Sequence, residues 1–126
     1  MNTLTITLPP PNPKLHAHAK GGWRAKVGAT KELRQLAWSL ALEACEQLEE
    51  PWPAASVEYR FCVPDLRRRD AANMIQATKP AIDGLVDAGL IPDDDWRHLG
   101  TKAVIVELDR ENPRVELMLE RTERVD

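Results

Sequence analysis

Arg67-Arg68-Arg69-Asp70-Ala71-Ala72-Asn73 opens the stretch on which the reading of this chain turns, and Pro92-Asp93-Asp94-Asp95 closes it. Between them, Ala71 to Ala88 is helix-prone, with Met74, Ile75, Ile82, Leu85 and Val86 as its apolar set. Pro80 interrupts it. A proline inside a helix removes one hydrogen bond and crowds the preceding turn, so a kink or break is expected near Lys79. Gly89 suits the position just past a helix end, and Pro92 forbids continuation. Upstream, Val57, Tyr59, Phe61 and Val63 alternate with Glu58, Arg60 and Cys62, which is the period of a strand. Asp70 therefore falls in a strand-to-helix turn, where functional groups often sit.

Working outward, residues 3–8 alternate threonine with Leu4, Ile6 and Leu8, a half-buried strand that the prolines from Pro9 to Pro13 terminate. Residues 9–29 show no helical or strand period and are expected to form a basic mobile loop centred on Gly21, Gly22 and Trp23. Lys14, Lys20, Arg24 and Lys26 would contact phosphates there, with the Trp23 indole stacked on a base. The competing reading is a solvated loop whose Trp23 caps the core. His16 and His18 lack a nearby third metal ligand.

Thr30 reads as an N-cap, followed by Leu33, Leu36, Ala37, Leu40, Ala41, Ala44 and Leu48 on one helical stripe. Trp38 and Leu42 lie off that stripe; we read them as widening the core face, with a contact to a second subunit as the alternative. Beyond the aspartates, residues 103–108 read as a buried strand. Asp109 to Pro113 read as a turn, and Val115, Leu117 and Leu119 as the returning strand of a β-hairpin. Residues 122–126 are expected to fray. The whole, residues 1–126, is one α+β domain in the order β-α-β-α-β-β, a mixed sheet of about four strands with two main helices. A ferredoxin-like arrangement is the alternative.

The 126 residues suffice for one core, and 43% hydrophobic with 29% charged residues excludes global disorder. Net charge is −3, but its distribution matters more: Lys14 to Arg34 is basic, while acid gathers at Glu43 to Glu50 and at Asp93 to Asp95. Cys45 and Cys62 have neither metal-site spacing nor the density of a secreted scaffold, and are read as reduced and partly buried. No basic patch precedes an apolar run at the N-terminus, and no stretch reaches the ~20 apolar residues of a membrane span, so a cytoplasmic protein without membrane contact is expected.

Carboxylates converging from the two ends of a helical segment can hold a hard divalent cation. Neighbouring arginines would neutralise a phosphodiester that carboxylates alone repel. The pattern points to metal-assisted chemistry on nucleic acid. Against it stand blander readings: Asp70 as an N-cap alone, and Asp93 to Asp95 as an ordinary acidic loop.

The order of elements resembles the RusA family of Holliday junction resolvases over nearly the whole chain. The likeness is strongest in Arg68-Arg69-Asp70-x-x-Asn73, in Lys79-x-x-x-Asp83-Gly84-Leu85 and in Gly89-Leu90-Ile91-Pro92-Asp93-Asp94. The resemblance implies a homodimer, often encoded by phages or prophages, that uses magnesium, with manganese as a substitute, to nick four-way DNA junctions symmetrically. It implies Asp70, Lys79 and Asp94 as catalytic residues, with Asp70 and Asp94 ligating metal and Asp93 or Asp95 supplementing them. Arg67, Arg68, Arg69 and Asn73 would join Lys14, Lys20, Trp23, Arg24 and Lys26 on DNA. Two departures stand out. Ala72 occupies the place of a family catalytic aspartate, and Lys79 arrives three residues late counted from Asn73. The alternative is therefore a DNA-junction-binding protein with a weak or inactive site.

Overall fold

In the computed structural model, which describes residues 2–15 and 22–126, the period-two segments become strands and the amphipathic ones helices. The elements are β1 (Thr3–Leu8), a short 3-10 turn (Pro13–Leu15), α1 (Trp23–Cys45), β2 (Ala54–Val63), α2 (Ala71–Asp87), β3 (Leu99–Leu108) and β4 (Arg114–Thr122). They form one mixed sheet in the order β1-β4-β2-β3. β4 runs antiparallel to both β1 and β2, whereas β2 and β3 are parallel. A parallel pair needs a crossover, and α2 supplies it. This is the expected α+β domain in the order β-α-β-α-β-β, not the ferredoxin-like order.

One face of the sheet carries the core. Ile6 pairs with Leu117, Leu117 with Tyr59 and Val115 with Phe61, and all pack in one cluster with Ala37, Ala41, Leu85, Leu90 and Ile91 from the helical side. Trp52 joins them, 2% exposed. The opposite face is charged: Arg60 pairs with Glu58, Arg114 with Glu116, and Lys102 with Glu120. α1 and α2 meet where Gly84 lets backbones approach; a Cβ there would lie 2.4 Å from the Arg34 carbonyl oxygen and 2.9 Å from the Trp38 nitrogen. The Arg34 guanidinium, held at 2.6 and 2.9 Å by Asp87, ties the same helices together at the surface. Both cysteines are free, Cys62 buried and Cys45 half-buried. Among the described residues no helix is long and apolar enough to cross a membrane.

Several expectations are corrected. The loop assigned to residues 9–29 ends sooner: α1 starts at Trp23 with Gly22 as its N-cap, so Thr30 lies inside the helix. Ala29 packs with Leu15, Ala77 and Leu33 in a small cluster of its own, and that tertiary contact holds two turns whose sequence shows no period. α2 runs unbroken through Pro80. The lost hydrogen bond is offset by burial of Ala77, Pro80, Ala81 and Leu85 around it, and Thr78 bonds the Met74 carbonyl at 2.8 Å.

β3 and β4 do not form a hairpin, because β2 lies between them. Nor is β3 buried: it is an edge strand, with Val106 and Leu108 each 45% exposed. Trp38 and Leu42, 40% and 38% exposed, do not widen the core. In the tail, β4 extends to Thr122 and the Val125 N–H reaches the Arg97 carbonyl at 3.1 Å, so a backbone bond restrains the expected frayed end.

Candidate nucleic-acid and metal site along helix α2

At the start of α2, Asp70 has extended backbone (φ −100°, ψ 117°) and its Oδ1 accepts the Ala72 N–H at 2.9 Å. That is N-capping, which satisfies one of the orphan donors of the first turn. Just before it, Asp65 organises two of the arginines. It accepts the Arg67 backbone N–H at 3.0 Å and the Arg67 guanidinium at 3.2 Å, and pairs with Arg69 at 2.9 Å. The Arg67 N–H and then the Arg69 guanidinium pull the Asp65 carboxyl down to about 2. Arg69 also donates to the carbonyls of Asp65 and Arg67, both at 3.0 Å. Arg68 is exposed and has no ion pair among the described residues. It lines a cleft of about 480 Å³ together with Arg67, Arg69, Asp70 and Asn73, and Pro10, Pro11 and Pro13 line the same cleft.

The far end of α2 is built differently. Gly89 adopts φ 81°, its N–H bonds Val86 O at 3.0 Å, and the Leu90 N–H bonds Leu85 O at 3.1 Å. This Schellman ending turns the chain back, with Leu90 and Ile91 buried as anchors. The following loop thereby returns along the helix, and Asp94 pairs with the Lys79 ammonium. Lys79 also donates to Asp83 at 2.6 Å, one turn further on. Burial pulls the Lys79 pKa down, but the bonds to Asp83 and Asp94 more than offset it and leave it raised. The same Lys79 bond holds Asp94 below the ordinary carboxylate range. Tyr59, whose pKa burial raises, lies close enough to feel both charges.

Around this cluster, Asp93 accepts the Asp94 N–H at 2.7 Å, and Asp95 accepts the N–H groups of Arg97 and His98 at 3.0 and 3.1 Å. The His98 Nδ1 lies 2.7 Å from Asp95. Ligand atoms of Asp93, Asp95 and His98 all lie within 4.8 Å of one another, the one such group of three among the described residues. Trp96 is 69% exposed with the Arg97 guanidinium 5.4 Å from its ring centroid.

The structure thus brings Lys79 to Asp94 and gathers Arg67, Arg68, Arg69, Asp70 and Asn73 around one cleft. It does not bring Asp70 into a ligand group with the aspartates of the loop. Nine residues of unbroken helix separate Asp70 from Lys79, a rise of about 13 Å. Lys79 is late by three residues along that helix, about 4.5 Å and 300° of rotation, so it keeps roughly the same side of α2. Trp23, Arg24 and Lys26 are exposed on the first turn of α1, on a helix and not on a mobile arm, and Trp23 at 77% exposure caps nothing. The Lys14 side chain, Lys20, His16 and His18 lie outside what is described.

Asp83 falls within the Lys79 motif read from the sequence but is given no role there, and His98 and Trp96 are given none. The first two carried a signal, lying four residues after Lys79 and three after Asp95, the spacings at which side chains meet across a helical turn. Trp96 carried none beyond its place after the aspartates.

A divalent ion fits the loop better than the cap. Asp93, Asp95 and His98 offer two carboxylates and an imidazole in reach of one point, whereas the Asp70 carboxylate serves its own helix. Magnesium commonly takes one or two protein carboxylates and keeps its remaining positions for water and phosphate. No protein-family model and no curated protein matches the chain.

Proposed function

We propose that this chain is a divalent-metal-dependent endonuclease of the RusA kind, acting in the cytoplasm as a homodimer on four-way DNA junctions. The reading rests chiefly on one observation: Lys79 and Asp94, fifteen residues apart, share an ion pair on the helix that begins at the arginine cleft. Those are two of the three residues, with Asp70, for which the resemblance implies catalytic roles. Two equivalent cuts across a junction are most simply made by two sites related by a twofold axis, which is the reason for the homodimer.

Arg68 holds a backbone phosphate, with Arg67 and Arg69 already oriented by Asp65 beside it. Asn73 and the first turn of α1, with Trp23, Arg24 and Lys26, extend that path along the strand. Asp93 and Asp95, with His98 in reach, would hold magnesium, or manganese in its place, which when bound would neutralise phosphoryl charge and make a coordinated water more acidic. Asp83 retains Lys79 next to that loop, so its ammonium faces the charge that develops on the phosphoryl oxygens.

A second reading has its own support. Asp70 caps its helix, Lys79 neutralises Asp94, and Ala72 contributes no acid, all of which suit a protein that binds junctions without cutting them.

A synthetic four-way junction, incubated with magnesium, with manganese and with chelator, separates the two, run beside Ala72→Asp. Cleavage by the wild-type chain that stops in chelator supports the enzyme. Binding without cleavage under every metal condition, with cleavage restored in Ala72→Asp, supports the binder. Absence of salt-sensitive junction binding defeats both.

A further inference from the structure

α1 is 23 residues long, about 34 Å, and it buries only one side. Ala37 and Ala41 face the core, while Trp38 and Leu42 stand on the outer side at 40% and 38% exposure. They are four residues apart, so they lie one above the other. Beside Trp38 is a depression of about 370 Å³, lined also by Lys31, Gln35 and the Arg34–Asp87 pair. Charge is divided along the same helix. Lys31 lies to the N-terminal side of Trp38, whereas Glu43 and Glu46 lie to its C-terminal side, with Glu49 and Glu50 following. Neither Lys31 nor Glu46 has an ion pair among the described residues, and both are exposed.

We propose that the outer face of α1, centred on Trp38 and Leu42, is the surface by which two copies of this chain dimerise, with the helices antiparallel. The proposal deepens the homodimer part of the reading above and does not depend on cleavage. A twofold axis perpendicular to α1 near Trp38 reverses the partner helix. Lys31 and Glu46 lie about 11 Å to either side of that point along the helix, so each Lys31 meets the partner's Glu46 and the pair forms twice. The indole and Leu42 of one copy then enter the depression of the other. Nucleic acid does not fit this surface, because the glutamates of the C-terminal half would repel phosphates. The basic first turn with Trp23, Arg24 and Lys26 stays outside the interface and free for DNA.

Sedimentation equilibrium of the full chain tests this directly. The wild-type chain is expected at twice its 14.2 kDa mass, and Trp38→Lys combined with Leu42→Lys at the monomer mass with an unchanged helical circular dichroism. Lys31→Glu and Glu46→Lys, both at surface positions where folding is not at stake, are each expected to weaken dimerisation by about tenfold, since each removes two symmetry-related pairs. The double exchange should recover most of that loss. A wild-type dimer unaffected by the Trp38 and Leu42 changes, or charge variants that fail to compensate each other, overturns this surface while leaving the homodimer reading intact. A wild-type monomer at high micromolar concentration overturns both, and the junction assay then judges the nuclease reading by itself.

Discussion

The two ends of α2 differ in how their charges are disposed. At the first end, three arginines face two aspartates, Asp65 restrains Arg67 and Arg69, and Arg68 remains free at the cleft. In the second half, Lys79 at mid-helix lies between Asp83 and Asp94 of the returning loop, with Asp93 and Asp95 adjacent. The helix dipole favours anions at the first end and disfavours carboxylates at the second. Asp87 in the last turn sits where the backbone field opposes it and is held by Arg34, while Lys79 holds Asp83 and Asp94. In the proposed reading, the arginine cleft at the start of α2 would take an anion and the acidic loop beside its second half a cation, so that the two would engage neighbouring parts of one phosphodiester strand.

The largest way to break this arrangement is Gly84→Ala. Its Cβ would meet backbone atoms of α1 at 2.4 and 2.9 Å, which no side-chain adjustment relieves. Separating α1 from α2 should cost about 3 kcal/mol, beyond the gain in helix propensity that alanine brings. Denaturant unfolding would measure it, and a variant as stable as wild type would show that the helices do not need this approach.

Next in size is Asp70, where two substitutions separate two roles. Asp70→Ala should lose about 1 kcal/mol of stability with the cap, while Asp70→Asn should stay within a few tenths, because asparagine caps equally well. If Asp70 also touches metal or substrate, both variants lose cleavage. If it only caps, Asp70→Asn keeps its activity. Arg68→Ala should leave stability unchanged and reduce the slope of log binding against log salt by about one. Arg67→Ala should act less on binding, since Asp65 already holds part of that charge.

The contrast between the ends also explains what the sequence disclosed. Local patterns were legible: the alternation of β1, the Asp70 cap, the Gly89 stop and the run of α2 follow from residues that act within one turn or one strand. Non-local choices were not. Val104, Ile105 and Val106 look like a buried strand followed by a turn at Asp109 to Pro113, yet both edges of β4 are taken, by β1 and β2. β3 must then pair with β2 in parallel, which no short-range signal encodes. The first turns of α1 were missed for the same reason, since Ala29 is held by Leu15 and Ala77 and not by its own period. At the site, Arg67 to Asn73 could be read as one group because they are contiguous. The place of Asp70 relative to Asp94 depended on whether Pro80 broke the helix, and it does not.

The smallest effect, and the one that tells the ends apart most cleanly, is in pH. Asp65 is lowered from 3.8 to about 2, so the unfolded chain takes up this proton first. Its contribution to stability is complete above pH 3.8 and disappears as pH falls toward 2. Asp94 is also lowered, so the far end loses its Lys79 pair in acid in the same sense. Lys79 moves the other way: raised in the fold, it contributes below its unfolded value of 10.5 and loses that contribution as pH rises through the folded one. The arginine end has no such alkaline limb, because a guanidinium keeps its proton there. Melting temperatures across pH should therefore fall less steeply in acid for Asp65→Asn than for wild type. Lys79→Arg should blunt the alkaline decline and leave the acid one in place. An alkaline limb unchanged by Lys79→Arg would mean that the ion pair with Asp94 adds nothing to folding.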